Sequence, residues 1–269
     1  MATTAIENNR SLHTFCGQHN IKLVELPDWN CCGSSSAHSI NHHLAKWLPT
    51  RNLSLAPSGR PLMAACPSCY LRLKLTHMEL SQNDAFREQY ERKWSRAFDP
   101  DLRIIPFFEL LSDMADGGYF SDQKGRLKGL KVVPYYGCML SRPPVMRHEK
   151  NFHGLMEKML SVMGAEVLHW NHSARCCGTY LSVTRADIAT QSVAKILDGA
   201  EAARAECIVT ACAMCHMNLE IRSKLPGKIP IFHFSELLSL SMGIGSGMGW
   251  FRRHLTDPRP LLRSRRLIA

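Results

Sequence analysis

The chain has 269 residues, 45% hydrophobic and 21% charged, a balance that excludes a disordered or low-complexity protein and allows one large domain or two of ordinary size. Its formal charge of +10 is partly gathered in WFRRHLTDPRPLLRSRR (250–266), which can touch nucleic acid, an anionic membrane surface or an acidic partner, or simply be a solvated tail. No apolar run approaches the roughly 20 residues that span a bilayer, and eleven cysteines behind an N-terminus without a secretory pattern point to a reducing, cytoplasmic compartment and to thiols available for metal or redox work.

In chain order, IKLVEL (21–26) reads as the first strand, followed by Cys31-Cys32-Gly33. PLMAA (61–65) is a second strand that runs into CPSC (66–69) and a helix. DAFREQYERKWSRAF (84–98) has the period of an amphipathic helix. The Gly-rich, polar stretch DGGYFSDQKGRLKG (116–129) marks a boundary, and Lys124, Arg126, Lys128 and Lys131 around it form a solvated charge run. KVVPYY (131–136) is a strand ending near Cys138, LMEKMLSVMG (155–164) a helix, and AEVLHW (165–170) a strand before Cys176-Cys177-Gly178. TRADIATQSVAKILDGAEAARA (184–205) is a helix, and CIVTA (207–211) is a strand leading into CAMC (212–215) and another helix. LLSLSMGIGSGMGWF (237–251) is too short and too broken by Ser and Gly to cross a membrane and reads as a loop closing a helix. Strands alternating with helices predict an α/β fold with mainly parallel sheets flanked by helices.

The chain repeats itself. Cys31-Cys32-Gly33 precedes CPSC, and Cys176-Cys177-Gly178 precedes CAMC, with 33 and 34 residues between the second cysteine of each pair and the CxxC. The flanks match as well: GRPLMAACPSCYLRLKL (59–75) with AECIVTACAMCHMNLEI (205–221), and RIIPFFELLSDM (103–114) with KIPIFHFSELLSLSM (228–242). Two tandem duplicated domains, 1–122 and 123–269, are therefore expected, with the cysteines in loops beyond the carboxyl ends of strands, where α/β sheets bind ligands.

A CxxC at a helix start turns two thiolates toward one centre, and the helix dipole favours their charge. Pro67 suits the first turn of such a helix. Adjacent cysteines are awkward for tetrahedral zinc and suit a polynuclear iron–sulfur centre, in which each can bind a different iron or one can bridge two. The second copy gathers five, Cys138, Cys176, Cys177, Cys212 and Cys215; the first has four, Cys31, Cys32, Cys66 and Cys69. Cys16 and Cys207 read as a buried helix cysteine and a buried strand cysteine. The chain is read as starting inside the first copy's first helix, without the strand and cysteine that would match Cys138.

This doubled pattern, with NCCGSSSAH, CPSCYLRLK and YYGCMLSRPP, resembles the cysteine-rich CCG domain family and, in particular, the cysteine-rich B subunit of heterodisulfide reductase and its relatives in bacterial sulfur-metabolising complexes. The resemblance implies an oxidoreductase subunit acting on sulfur groups: non-cubane 4Fe-4S clusters, each held by a five-cysteine set, that cleave a small-molecule disulfide clamped between them. It also implies a ferredoxin-like subunit delivering electrons, further redox subunits, and a place in the cytoplasm, peripheral to a membrane at most through the complex. Carried over, the non-cubane cluster belongs to the second copy, and a 4Fe-4S cluster or zinc to the first. Two other readings stand beside it: an electron-transfer subunit of an organic-acid (lactate or glycolate) dehydrogenase, in which CCG domains are similar, and a scaffold module that clusters or zinc merely stabilise.

Other residues near the motifs carry weaker signals. His38, His148, His172, His216 and Arg175 are candidates for moving protons or holding an anion, with a structural role the simpler reading. Ser34, Ser35 and Ser36 can donate to cluster sulfides or cap a helix. The thirteen histidines form no HExxH motif, and no nucleotide-binding loop or nucleic-acid-binding motif is present, so nucleic acid is not expected as a partner.

Overall fold

The strands of the second copy are apolar on both faces, and this decides how they assemble. In the computed structural model, which describes residues 5–33, 37–120, 125–143, 152–223, 229–243 and 249–269, the contacts divide the chain into two compact units. A larger unit comprises Met1–Leu23 with Leu111–Ala269; a smaller one comprises Val24–Leu110.

The smaller unit holds helices α2 (Ala37–Ile40), α3 (His42–Leu55), α4 (Pro67–Gln82) and α5 (Asp84–Trp94), and two parallel strands, β1 (Leu62–Ala64) and β2 (Ile104–Pro106). Asn41 caps α3 by accepting the Leu44 N–H at 2.9 Å, and Asn83 caps α5 in the same way from Phe86 at 3.0 Å. Helix α6 (Phe107–Asp116) follows β2 directly.

In the larger unit, β3 (Lys131–Tyr135), β4 (Glu166–Val167), β5 (Cys207–Thr210) and β6 (Ile231–His233) form an all-parallel sheet in the order β4-β3-β5-β6. Every residue of β5 and β6 is buried, as is β3 beyond Lys131, the pattern of parallel strands covered by helices on both faces. The flanking helices are α1 (Ile6–Gln18), α7 (Gly137–Ser141), α8 (Leu155–Val162), α9 (Ala186–Ala202), α10 (Ala213–Arg222), α11 (Phe234–Ser241) and α12 (Arg259–Ser264). The fold is α/β with parallel sheets, as the alternating elements predict.

Four details differ from expectation. IKLVEL (21–26) is not a strand, and Val24 is exposed. Its counterpart in the second copy, β4, pairs only with β3, and among the described residues the smaller unit's sheet is β1 and β2 alone, so residues 21–26 have no ladder to join. AEVLHW (165–170) contributes only its second and third residues to the sheet. The expected domain boundary at 122/123 lies outside the described residues, and the compact units are drawn otherwise, because α1 packs with the second copy. Its buried face of Asn8, Ser11, Leu12, Phe15 and Cys16 has helical spacing and lies on α11, where Ser11 Oγ is 2.7 Å from Ser235 Oγ and Ser239 Oγ donates to the Ser11 carbonyl at 2.9 Å. The basic tail is not wholly solvated: Trp250 and Phe251 are buried in a 3-10 turn (Gly249–Arg253), and Arg265 forms an ion pair with Glu206.

Candidate metal centre

Sheet order places the second-copy cysteines. The connection from β3 runs to β4 on one side and that from β5 runs to β6 on the other, so a crevice opens between the carboxyl ends of β3 and β5, the switch point at which doubly wound sheets bind ligands. Cys138 lies in the first turn after β3. Cys212 is the N-cap residue of α10 after β5, in extended conformation, and Cys215 lies in that helix's first turn. Cys176 and Cys177 come from the loop after β4. The Gly137 N–H donates to the Ser173 carbonyl (3.0 Å) and Arg142 Nε to that of Ala174 (3.2 Å), tying the β4 loop to the turn that carries Cys138.

The five sulfurs form one constellation. Cys177 and Cys215 Sγ stand 3.3 Å apart and share a hydrogen; Cys138 is hydrogen-bonded to Cys176, and Cys212 to Cys215. The buried phenol of Tyr135, whose hydroxyl donates to the Arg175 carbonyl at 2.5 Å, is pushed far up by burial and then by the charges of Cys215, Cys177, Cys138 and Cys176, which all surround it. The thiols are differentiated. Bonding from Cys215, and then from the Thr179 hydroxyl at 2.9 Å, outweighs burial and brings Cys177 down to about 6. Bonding from Cys138, with help from the Gly178 N–H at 3.4 Å, brings Cys176 to about 7. Their bonded partners, Cys138 and Cys215, are pushed up. At neutral pH, part of this set is thiolate, the form that binds metal.

Gly178 has the left-handed φ of +76°, and a Cβ there would stand 3.0 Å from Ala189 Cα on α9. The matching Gly33 has φ +70° and would meet Ala37 and Leu48 at 2.7 and 2.8 Å. The glycine of each CCG is therefore demanded by both conformation and close helix approach.

The first-copy thiols belong to the smaller unit. Cys66 is the extended N-cap residue of α4, with Pro67 at its first position, and Cys69 lies in its first turn. Cys32 is buried, accepts from Asn52 Nδ2 at 3.4 Å and is pulled down by its bond with Cys69; Cys69 is pushed up by its bonds with Cys32 and Cys66. Cys31 is exposed. Cys16 lies buried on α1, its thiol raised to about 11 by burial, and Cys207 is buried in β5.

Of the weaker candidates, His172 packs its ring on Trp170 at 5.7 Å and against Gly199, and Arg175 is exposed, contributing its carbonyl rather than its guanidinium to the described site. His216 is fully buried and faces Asn8 Oδ1 at 3.1 Å. Ser34, Ser35, Ser36, Lys124 and His148 lie outside the described residues, as does the side chain of His38. Sequence reasoning did not single out Tyr135, Thr179, Asn52 or Asn218. Asn218 Nδ2, on the helix that follows CAMC, donates to the Cys177 carbonyl at 2.8 Å, and Asn52 Nδ2, on the helix that precedes β1, donates to Cys32 Sγ at 3.4 Å. The two asparagines are not equivalent positions of the repeat, and their service to the second cysteine of each pair is visible only once the helices are placed.

The family model described as the cysteine-rich domain CCG matches residues 1–74 and 132–220. Among characterised proteins the chain is similar to the 8-methylmenaquinol:fumarate reductase membrane anchor subunit of Wolinella succinogenes, at 26% identity over 91% of this chain and 89% of that one. It is also similar to the B subunit of the ferredoxin/F420H2-dependent CoB-CoM heterodisulfide reductase of Methanosarcina acetivorans (24% identity, 83% of this chain and 80% of that one). The corresponding ferredoxin:CoB-CoM heterodisulfide reductase protein of Methanosarcina mazei is 25% identical with the same coverage. Among solved structures, a hypothetical protein from Helicobacter pylori shares the fold, with a TM-score of 0.63 and 15% identity over 88% of this chain; the chain spans about half the length of that structure, 46%.

Proposed function

This chain belongs to the cysteine-rich CCG domain family, and from that premise we propose that it is the iron–sulfur electron-transfer subunit of a multisubunit oxidoreductase linked to a quinol. The iron–sulfur part is carried by the convergence of five sulfurs at the β3/β5 crevice, four of them around Tyr135 and the fifth, Cys212, bonded to Cys215, a donor set larger than tetrahedral zinc uses. The choice of complex rests on the near end-to-end match to a quinol:fumarate reductase subunit, longer and closer than the matches to heterodisulfide reductase.

In this reading, Cys138, Cys176, Cys177, Cys212 and Cys215 hold a non-cubane 4Fe-4S cluster, while Cys31, Cys32, Cys66 and Cys69 hold a second 4Fe-4S cluster or zinc. Such a cluster supplies one-electron transfer when bound. The chain's own residues prepare the site for it. The Gly178 N–H and the Thr179 hydroxyl lie on Cys176 and Cys177, where hydrogen bonds to thiolate sulfur favour the more negatively charged state. Tyr135 and Trp170, whose indole N–H donates to the Pro134 carbonyl at 2.8 Å, keep water from the protein side of the crevice. The partners are a ferredoxin-like iron–sulfur subunit and further redox subunits, and attachment on the cytoplasmic face of a membrane runs through them. No helix among the described residues is long and apolar enough to cross a bilayer.

A second reading, exchange with a thiol/disulfide couple in a heterodisulfide reductase-like complex, is favoured by the lowered thiols of Cys176 and Cys177 and by the Methanosarcina relatives. One experiment separates the two. The complex is purified anaerobically, reduced with dithionite and exposed in turn to a water-soluble menaquinone analogue and to a small-molecule disulfide, while the visible absorbance and electron-spin signal are followed. Reoxidation by the quinone alone supports the quinol-linked reading, and reoxidation by the disulfide supports the other. Colourless protein with zinc at both cysteine sets sinks both.

A further inference from the structure

Away from the thiols, the larger unit buries a second group of titratable side chains: His216 and Glu220 on α10, Glu236 on α11, and His254 just beyond the 3-10 turn Gly249–Arg253. One ring nitrogen each of His216 and His254 and one carboxylate oxygen of Glu236 lie within 4.8 Å of one another, and the two imidazole centroids are 5.0 Å apart. Neither electron transfer nor the cysteine motifs require this arrangement.

The hydrogen bonds orient the two rings. His216 Nδ1 lies 3.1 Å from Asn8 Oδ1. Its Nε2 is buried without a hydrogen-bond partner, the nearest carboxylate oxygen, Glu220 Oε1, being 3.6 Å away. A buried nitrogen left in that state costs free energy unless something binds it. His254 Nδ1 bonds Glu220 Oε1 at 3.0 Å, the orienting carboxylate contact usual for a metal-ligating histidine, which turns its Nε2 toward Glu236 Oε1 at 2.8 Å. The carboxylates are anchored in turn: Glu236 Oε2 accepts the His233 N–H at 2.7 Å, and Glu220 Oε2 accepts the Leu255 N–H at 3.2 Å.

Charge points the same way. Glu220 and Glu236 are buried, Glu7 stands 3.8 Å from His216, and among the described residues no lysine or arginine forms an ion pair with any of the three. A protonated His254 offsets only one of two buried carboxylates, whereas a divalent ion between two neutral imidazoles offsets both.

We propose that His216 Nε2, His254 Nε2 and Glu236 Oε1 bind a zinc ion, with Glu220 orienting His254 and a carboxylate oxygen or water filling the fourth position. The site would clamp α10, whose first turn carries Cys215 and whose N-cap is Cys212, to α11 and to the C-terminal segment. The same geometry without metal is an imidazolium held between two carboxylates, a state in which these charges raise His254 to about 10 against the opposing effect of burial.

The test uses the full chain in its complex, purified anaerobically, loaded with zinc and dialysed. The zinc absorption edge of the wild type is expected to show nitrogen and oxygen neighbours, with about one zinc per chain. In H254Q, zinc falls at least roughly tenfold while iron and acid-labile sulfide stay at wild-type levels, and E220Q weakens zinc binding by roughly 10–100-fold. If a cysteine set also takes zinc, the mixed shell turns to sulfur alone in H254Q. A wild type without zinc, a wild-type shell of sulfur alone, or full zinc retention in H254Q overturns the proposal. The wild-type spectrum decides the matter even if the variants fail to fold.

Discussion

Replacing Gly137 with alanine probes the thiol crevice without touching a cysteine. Gly137 joins β3 to Cys138 at φ +69°, and a Cβ there would stand 3.2 Å from Cys215 Sγ and 3.8 Å from Tyr135 Cε1. The left-handed backbone alone costs a non-glycine residue about 1–2 kcal/mol. The crowding is a separate effect, because either Cys215 or the β3–α7 turn must yield by a few tenths of an ångström. Gly154 separates the two: it has φ +87°, but nothing lies within 4 Å of its would-be Cβ. G154A is therefore expected to lower the melting temperature by roughly 2–8 °C while iron and sulfide remain at wild-type levels. G137A should lose at least as much stability and also bind less iron, because Cys215 is displaced from Cys177 and Cys212. Iron and sulfide per chain, measured beside thermal unfolding of anaerobic protein, give both readouts. Equal iron in G137A and G154A would refute the claim that Cys215 works from the position described.

Asn218 holds the Cys177 carbonyl, the Ser182 hydroxyl and Arg222 Nε at 2.8, 2.9 and 2.9 Å, so N218A should cost about 1–3 kcal/mol in denaturant unfolding and reduce iron content; unchanged iron would show that the loop carrying Cys177 does not need it. C16S places a hydroxyl at a fully buried position on α1 and should cost about 1–3 kcal/mol while leaving iron and sulfide intact, in contrast to C177S; an iron loss matching C177S would make Cys16 a ligand. Glu206 is held below its usual value: burial opposes the shift, but Arg265 and the Lys131 N–H at 3.0 Å outweigh it. A depressed carboxylate contributes stability that is present above its unfolded value and lost as pH falls through the folded one. E206Q should thus be about 1 kcal/mol less stable at pH 7, with the gap closing below about pH 4; a gap that stays constant down to pH 3 would remove the ion pair as its cause.

What the sequence disclosed and what it hid divide along physical lines. The strand–CxxC–helix units were legible because both their signals are local: a run of buried residues as in β5, then Cys212 three positions before Cys215 at a helix start. The convergence of Cys138 on them followed from the rule that parallel sheets bind at the carboxyl ends of their strands. Partnership was not legible. IKLVEL has the composition of a strand, but a strand needs a neighbour, and its counterpart β4 shows that the neighbour in question is a β3, which the described first copy does not supply. The apolar face of α1 announced that it would be buried but not against what, and it lies on α11 of the second copy. The histidine cluster is the extreme case. His216 and His254 are 38 positions apart, on no common helical or strand period, and only the packing of α10 and α11 against the C-terminal segment sets their rings 5.0 Å from each other. Taken one by one, its members are ordinary buried polar residues; the nitrogen left unpartnered on His216, beside carboxylates that no lysine or arginine pairs among the described residues, is what distinguishes a built site from a satisfied core.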